Sequence, residues 1–576
     1  MEMLEQIEVL EKSVLKAFDK YHNPSNETSE AEALQLLSQL PNPATVRDEG
    51  KFTLLHYACS NGWYEIAKVL IEQYGCDPNC KTSKGGSIPL LFAYIGGSME
   101  LINYLISEKQ CNPLYVSNNG MTRLHSASYG GQLHVVKCLV EEEHCDPACK
   151  NNNGCTPLHL ACQNGHLTVV KYLIEEKACN SACRDDVGST PVFEACSGGH
   201  LDIIKYLVEE QHCDPASSNS IGVKPLHIAC WNNHLNVIKY LIEEQHCDPA
   251  CKMNDGLTPL HLECQNGHLA VAKCLIEQKA CNSACRDDVG STPVFEACRG
   301  GHLDIVKYLV EEQHCDPASS NNNGWTLLHI ACQMNHLNVA RYLIEEQQCD
   351  PACKNNNGWT PLHSACRHGH LPVAMYLVKK KACNKACRDN VGSTPVFEAC
   401  RGGHLDIVKY LVEEQHCDPS SSKNNDWTLL HIACQNNHLD VAKYLIKEHN
   451  CDPACKKNDG WTPLHLACRN SCLTVAKYLI EEKACNSACR DNVGSTPVFE
   501  ACRGGHLDIV QYLVEEQHCD PACSNNNGWK PLHIACQKNH LNVAKYLIEE
   551  QNCDPCLLYT SPSPRDATLS RMPSSA

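Results

Sequence analysis

The fold of this chain is decided by one short stretch, Thr156-Pro157-Leu158-His159-Leu160-Ala161-Cys162, which recurs along the sequence. The stretch returns, unchanged or in close variants, every 34 residues from Thr122 to Lys530, and Ile88 and Thr53 begin two earlier copies. Fifteen copies of the motif therefore occur, the first and the last beginning about 480 residues apart in the chain of 576. A fixed period of this length indicates a stack of supersecondary units, none of which buries its apolar face alone.

Each 34-residue unit is typical of two helices followed by a loop. Thr156 is suited to cap a first helix, and the proline after it suits the first turn, where an amide needs no partner. The pair Asn164-Gly165 ends that helix, and apolar residues at helical spacing from Leu167 predict a second helix. An Asn- or Asp-rich loop ending in glycine, such as 151–154, then leads to the next unit.

The unit resembles the ankyrin repeat in Thr156-Pro157-Leu158-His159-Leu160-Ala161 and in the Asn164-Gly165-His166-Leu167 that follows. The resemblance covers about residues 40–555 and implies an all-α solenoid of helix–turn–helix–hairpin units. Ankyrin repeats usually run 33 residues and leave the second helix through glycine, whereas this chain has Gln211-His212-Cys213-Asp214-Pro215 at that point. We therefore expect a slightly longer second helix and an altered exit.

A second period of 102 residues, or three repeats, is superimposed on the first. Thr-Pro-Val-Phe recurs at Thr190, Thr292, Thr394 and Thr496, and residues 177–216 and 279–318 differ at only two positions. The array therefore grew by copying triplets. A partner with a matching long or repetitive structure is one explanation of the period, and recent duplication alone is the other.

The two ends depart from the repeat. Helical spacing from Leu4 to Phe18, and again over 31–40, predicts an N-terminal helical cap over residues 1–45, since a solenoid must cover its terminal apolar face. We expect the solenoid over 46–555 and an unstructured tail over 556–576. Part of that tail, 558–566, resembles translated adaptor sequence, so the tail is excluded from the functional interpretation.

Charge and hydropathy restrict the partners. The formal net charge of −18 disfavours nucleic acid and anionic membranes, since both are bound through a basic face. No apolar run reaches the roughly eighteen residues of a membrane span. The beginning, Met1-Glu2-Met3-Leu4, lacks the basic and then apolar order of a signal peptide. We expect a monomeric cytoplasmic protein, with the nucleus as a further location, that does not insert into membranes.

The 43 cysteines and 31 histidines invite a chemical interpretation. Thirteen cysteines share one first-helix position, where a small buried side chain is expected. Most others lie at the exit, as in Cys145-x-x-x-Cys149, so a metal or redox role is the alternative to packing. Histidine at the motif's fourth position is implied by the resemblance to hydrogen-bond across adjacent loops, and phenylalanine replaces it in every third repeat. No lone nucleophile stands beside a base and no phosphate loop occurs, so we predict no catalysis and no cofactor.

Function is expected at variable positions on the concave face that hairpin tips and first helices form in ankyrin folds. Five tryptophans precede the Thr-Pro motif or its variants at a tip position that we predict to be exposed, and another variable site follows the first-helix cysteine. Large aromatic and arginine side chains are enriched in binding hot spots. We predict protein binding through Trp231, Trp325, Trp359, Trp427, Trp461, Trp529, Arg299, Arg367, Arg401, Arg469 and Arg503.

Three alternatives remain open at this point. The tip tryptophans could pack one hairpin on the next instead of contacting a partner, or do both. The chain could be a cysteine-rich redox or metal-binding repeat protein. It could also be the ankyrin portion of a longer signalling, channel or enzyme chain.

Overall fold

A computed structural model describes residues 2–19, 28–277, 282–380, 384–482 and 485–554. The predicted tail 556–576, with Pro555, lies outside these ranges. The chain divides into two compact units, Met1–Asp288 and Val289–Ala576, which are called the first and second unit below. Each unit is a stack of helix pairs in which the first helices of successive repeats pack on each other. The predicted all-α repeat solenoid is confirmed.

First helices are short because a threonine or lysine caps one end and a glycine or asparagine turn follows the other. In the first unit they are Leu54–Ser60, Pro89–Gly96, Arg123–Tyr129, Pro157–Gln163, Pro191–Gly198, Pro225–Trp231 and Pro259–Asn266. In the second unit they are Pro293–Gly300, Leu327–Gln333, Pro361–His368, Pro395–Gly402, Leu429–Gln435, Pro463–Arg469, Pro497–Gly504 and Pro531–Gln537.

Second helices come in two forms. Regular ones are Tyr64–Glu72, Leu133–Glu141, Leu269–Glu277, Leu337–Glu345, Leu371–Lys379, Leu439–Lys447 and Leu541–Glu549. The others begin as α-helix over Met99–Asn103, Leu167–Lys171, Leu201–Lys205, Leu235–Lys239, Leu303–Lys307, Leu405–Lys409, Leu473–Lys477 and Leu507–Gln511. They continue with a wider π-helical turn over Tyr104–Glu108, Tyr172–Glu176, Tyr206–Glu210, Tyr240–Glu244, Tyr308–Glu312, Tyr410–Glu414, Tyr478–Glu482 and Tyr512–Glu516.

Both forms of second helix leave through the same hydrogen bonds, since Gln347 and Cys349 after a regular helix make the bonds that Gln211 and Cys213 make after a π-helical turn. The amide of Gln211 donates to the carbonyl of Tyr206 five residues earlier, and the amide of Cys213 donates to Leu207 six residues earlier. Between them His212 adopts a positive φ of 55°, a conformation that glycine usually supplies at helix ends. The exit is therefore altered as the sequence predicts, with histidine, glutamine or asparagine accepting the left-handed conformation.

Two helices, Glu2–Phe18 and Glu30–Leu37, precede the first repeat, with a short 3₁₀ turn over Pro43–Thr45. Val14 and Phe18 are fully buried, and the Phe18 ring meets Trp63 edge to face at 5.4 Å. The side-chain amide of Asn61 donates to the Phe18 carbonyl at 2.9 Å. These helices thus cover apolar surface of the first repeat, while the boundary at residue 45 stays a prediction.

Tyrosines on the second helices link neighbouring repeats. The hydroxyl of Tyr444 donates to Glu413 at 2.9 Å, and nine bonds of this kind occur in the described ranges. Eight of them reach the glutamate 31 residues earlier, and one, from Tyr104 to Glu72, spans 32 residues. Lys379 stands where the partner of Tyr410 should be, and the buried Tyr410 hydroxyl has no hydrogen-bond partner. Lysine therefore replaces the acceptor at this junction, and Lys447 likewise stands 31 residues before Tyr478.

The first-helix cysteines are buried, as the packing interpretation predicts, with one difference. Twelve of the thirteen are fully buried, whereas Cys536, in the last first helix, is exposed. In the part of the chain that the structure describes, the one sheet is a hairpin in the second unit, with Ser422–Lys423 antiparallel to Trp427–Thr428. Among the described residues, every helix is too short or too polar to cross a membrane.

Candidate partner-binding surface

The predicted tip tryptophans are less exposed than the sequence suggests. All five are partly buried, and each ring packs against the histidine four residues later, with centroids 5.6–6.3 Å apart. The pairs are Trp325–His329, Trp359–His363, Trp427–His431, Trp461–His465 and Trp529–His533. One side of each ring is covered by its own repeat, and the rest remains open.

Two of these rings also link neighbouring hairpins. Trp325 and Trp359 lie 6.4 Å apart between centroids. The indole N–H of Trp359 donates to Asp389 of the following loop at 3.1 Å. The packing alternative therefore describes these residues, and it is compatible with contact to a partner on the open side.

A lysine joins the next two tryptophans. The ammonium group of Lys457 lies 5.0 Å from the ring centre of Trp427 and 5.2 Å from that of Trp461, and it pairs with Asp459. Only 9% of its side chain is exposed. Because a cation over an indole face is worth about 2 kcal/mol when desolvated, Lys457 holds the two rings in a fixed relation.

Hydrogen bonds in the loop fix the position of the Trp359 tip. The side-chain oxygen of Asn355 accepts from the amides of Asn357 and Trp359 at 3.0 and 2.9 Å, which closes an Asx turn. The carbonyl of Trp359 in turn accepts from Nε2 of His329 in the preceding repeat at 2.8 Å. The cross-repeat role that the resemblance implies for this histidine is thus seen directly.

His329 and the other histidines at the motif's fourth position must be neutral for these hydrogen bonds to form. Nδ1 of His329 accepts from the amide of Thr326 at 3.3 Å, so Nε2 carries the proton that goes to Trp359. Burial lowers the pKa of His329 to about 4, and the same cause lowers the pKa of His431 to about 4. The hydrogen bonds that these histidines make to neighbouring loops are therefore intact at neutral pH.

The predicted arginines lie at the ends of first helices, beside buried glutamates that were not predicted from the sequence. Glu500 is fully buried, and its carboxylate contacts Arg503 of the same helix and Arg469 of the preceding repeat, each at 3.0 Å. Arg401 contacts the buried Glu398 at 3.2 Å, and Arg367 lies close enough to that carboxylate for its charge to act on it. Burial raises the pKa of both glutamates.

A sequence signal for these glutamates existed. In the Phe-containing repeats glutamate occupies a first-helix position that carries Leu160, Ile330 or Ser364 elsewhere. A charged residue at a position that is otherwise apolar or small, three residues before an arginine, indicates a buried ion pair. Arg299 makes the same contact with Glu296, at 3.4 Å.

Tip and helix-end residues share one surface. Phe499, Arg503, Trp529, Ile534 and Gln537 line a cavity of about 200 Å³ in the second unit. The Arg503 guanidinium lies 5.1 Å from the Phe499 ring centre. We call this surface, formed by the tip residues before the first helices and by the ends of those helices, the tip face.

Trp231 differs from the other predicted anchors. It is the last residue of the helix Pro225–Trp231 and is 50% exposed, the most open tryptophan among the predicted residues. Exposed aliphatic residues at the loop ends were not predicted; they are Val187, Ile221, Val289, Val391 and Val493. Four of them are valines that directly precede a loop glycine in the Phe-containing repeats, where serine replaces the tip tryptophan.

The exit cysteines contact the helix caps. Sγ of Cys353 lies 3.5 Å from the Thr326 hydroxyl and 3.8 Å from Nδ1 of His329, and equivalent contacts recur in other repeats. Burial raises the pKa of Cys149, in the predicted Cys145/Cys149 pair, to about 11, so its thiol is protonated at neutral pH. Within the described ranges no three His, Cys, Asp or Glu side chains converge as metal ligands would.

Comparison with known proteins agrees with this architecture. The family model described as ankyrin repeats (3 copies) matches in overlapping segments from residue 25 to residue 558. BCL-6 corepressor-like protein 1 of Homo sapiens is 33% identical over 82 residues, and that of Mus musculus is 32% identical over 82 residues. Those matches cover 14% of this chain and only 4% of each relative. On the family match and the fifteen helix pairs, the chain belongs to the ankyrin-repeat family.

Proposed function

We propose that this protein is a non-catalytic scaffold that binds partner proteins through the tip face. The observation that carries the proposal is that five tryptophans and five arginines recur at two positions of one surface and stay partly exposed there. Ankyrin repeats generally serve protein–protein interaction and are typically non-catalytic. Tryptophan and arginine are the residue types most enriched among binding hot spots.

Rigidity supports the same conclusion. The Trp359 tip is held by an Asx turn, a ring contact to the buried His363 and a hydrogen bond from His329 of the preceding repeat. A partner that meets preorganised side chains loses less conformational freedom on binding, and this increases affinity. Trp359 is held in place by its neighbours and stays partly exposed, as a binding anchor needs.

The similarity to BCL-6 corepressor-like protein 1 is confined to a short segment, so we take from it the repeat architecture alone. A role as a monomeric protein of the cytoplasm or nucleus stays a prediction of the sequence. The proposal holds equally if the chain is the ankyrin portion of a longer protein, because the tip face is complete within the second unit.

The test is affinity capture from a lysate of the source cells, with the chain compared against a variant in which Trp325, Trp359, Trp427, Trp461 and Trp529 are all serine. Serine already stands at this tip position in Ser393 and Ser495 and is buried there, so the variant is compatible with the fold. Circular dichroism and thermal unfolding must first show that both proteins have the same helical content.

We expect specific proteins to be retained by the natural chain and lost from the variant. A control variant, Tyr444→Phe with Tyr512→Phe, changes two second-helix hydroxyls away from the tip face and should retain the same proteins. Retention of an identical set by the five-serine variant would contradict the proposal.

A further inference from the structure

The two units differ in charge at the helix-end position of the tip face, which directly follows the first-helix cysteine or its equivalent. The first unit carries Ser60, Ile95, Tyr129, Gln163, Ser197, Trp231 and Gln265 there. The second unit carries Arg299, Gln333, Arg367, Arg401, Gln435, Arg469, Arg503 and Gln537. The first unit therefore has no basic residue at this position, and the second has five arginines.

A position in the loops shows the same difference in basic residues between the two units. It lies four residues before the tip residue and is occupied by Asn355 and Asn525 in two typical repeats, but by Lys423 and Lys457 in the middle of the second unit. The Lys423 ammonium lies 3.2 Å from the Ser393 hydroxyl and 5.7 Å from the Trp427 ring centre. The same position in the first unit has no lysine or arginine between residues 82 and 287.

Within the duplicated segments, the difference in charge is confined to the helix-end position. Residues 177–216 and 279–318 are identical except at Ser197/Arg299 and Ile204/Val306. The second difference exchanges one buried aliphatic residue for another. The first exchanges a hydroxyl for a guanidinium on the tip face, while the remainder of the copied segment is unchanged.

The arginines keep part of their charge for a ligand. Glu500 is one buried carboxylate between Arg469 and Arg503, so the group carries an excess of positive charge. The side chains of Arg469, Arg503 and Arg401 are 34%, 26% and 28% exposed, whereas the glutamates beneath them are buried. The guanidiniums are thus oriented by buried carboxylates and remain accessible from the tip face.

We propose that the tip face of the second unit binds an extended peptide segment of the partner that is rich in aspartate and glutamate. This inference rests on the proposed function and adds the chemistry of the partner. Guanidinium groups recognise carboxylates with two parallel hydrogen bonds. On a chain of net charge −18, this basic strip is a place where an acidic partner is attracted.

Repeat geometry sets the spacing of the acidic residues. Helices of neighbouring repeats pack about 10 Å apart, and an extended peptide advances about 3.3 Å per residue. One repeat, as from Arg367 to Arg401, thus corresponds to about three peptide residues, and the two repeats from Arg401 to Arg469 correspond to about six. A peptide with glutamate at its positions 1, 4, 10 and 13 therefore matches Arg367, Arg401, Arg469 and Arg503.

The experiment measures fluorescence anisotropy of a labelled 13-residue peptide with that glutamate pattern in a Gly/Ser background, titrated with the full chain. A peptide with glutamine at the same four positions is the control. We expect the glutamate peptide to bind at least tenfold more tightly and to lose most of that preference at 0.5 M salt, where charges are screened.

Two variants locate the site. Arg469→Gln with Arg503→Ser reproduces the side chains that flank Glu194 in the first unit, Gln163 and Ser197, so the fold has a natural precedent. We expect it to weaken glutamate-peptide binding at least tenfold. Lys443→Gln with Lys447→Gln removes the same charge from the second helix Leu439–Lys447 and should leave binding within twofold.

Equal binding of the two peptides, no measurable binding of either, or unchanged affinity in the arginine variant would each overturn the inference. Failure of the broader proposal has a different signature. If proteins are captured by the natural chain, lost from the five-serine variant, and not displaced by excess glutamate peptide, then the scaffold function holds and only the acidic ligand is wrong.

Discussion

Replacement of His329 by phenylalanine should weaken the second unit at neutral pH and have almost no effect in mild acid. At neutral pH the substitution removes the acceptor of the Thr326 amide and the donor to the Trp359 carbonyl, both in a buried setting. Each buried group left without a partner costs about 1–3 kcal/mol, so we expect a loss of about 3 kcal/mol. The ring itself fits, because Phe397 and Phe499 occupy the equivalent position in other repeats.

The pH dependence follows from the direction of the pKa shift. Burial lowers the pKa of His329 from 6.5 to about 4, so the unfolded chain takes up a proton before the folded one does. The stabilising contribution of neutral His329 is complete above pH 6.5 and is lost as the pH falls towards 4. At pH 4.5 the loss amounts to about 2–3 kcal/mol. His329→Phe should therefore approach the natural chain in local stability at that pH.

The assay is hydrogen exchange of the helix Leu327–Gln333, corrected for intrinsic rates, at pH 7.5 and pH 4.5. Local exchange is preferable to a single melting temperature because a repeat array does not unfold as one unit. The helix Leu54–Ser60 in the other unit is an internal control and should respond equally in both proteins. An identical difference between variant and natural chain at the two pH values would refute the neutral-histidine account.

Three further substitutions test other contacts. Burial raises the pKa of Glu263, which contacts His268 at 2.9 Å, to about 8, so its ionisation destabilises the fold as pH rises from 4.5. Glu263→Gln should stabilise by up to about 5 kcal/mol above pH 8 and be neutral below pH 4.5 in urea titrations. Lys379→Glu should restore the missing bond to Tyr410 and add about 1 kcal/mol to local stability by hydrogen exchange. His518→Gly, at a φ of 53°, should raise the thermal midpoint by relieving about 1 kcal/mol of backbone strain; a lower midpoint would contradict that reasoning.

The architecture was predictable because each 34-residue copy carries its own helix signals. The Thr-Pro pair and the Asn-Gly turn place the first helix within a residue or two, as in Pro157–Gln163. The extra residue of the period could be assigned to the second helix. Its π-helical form in some repeats could not be predicted, because both forms lead to the same exit, as at Gln211 and Gln347.

The candidate surface was predictable in part. Trp359 and Arg401 lie on the predicted face, but their exposure depends on neighbours in the following loop, such as Asp389, that a single repeat does not reveal. Glu398 looked like an ordinary charged helix residue, since burial of a carboxylate is uncommon unless it is paired. Its arginine partners come from its own helix and from the preceding repeat, so the group becomes apparent only when successive copies are aligned.

The most direct test of the scaffold account is hydrogen exchange of the full chain with and without a captured partner. We expect slower exchange at the tip face of the second unit, in the loops that carry Trp359 and Trp461 and at the first helices Pro395–Gly402 and Pro497–Gly504. The outer ends of the second helices should be unaffected. Protection confined to the second helices, or spread over the first unit alone, would contradict the claim that this face binds the partner.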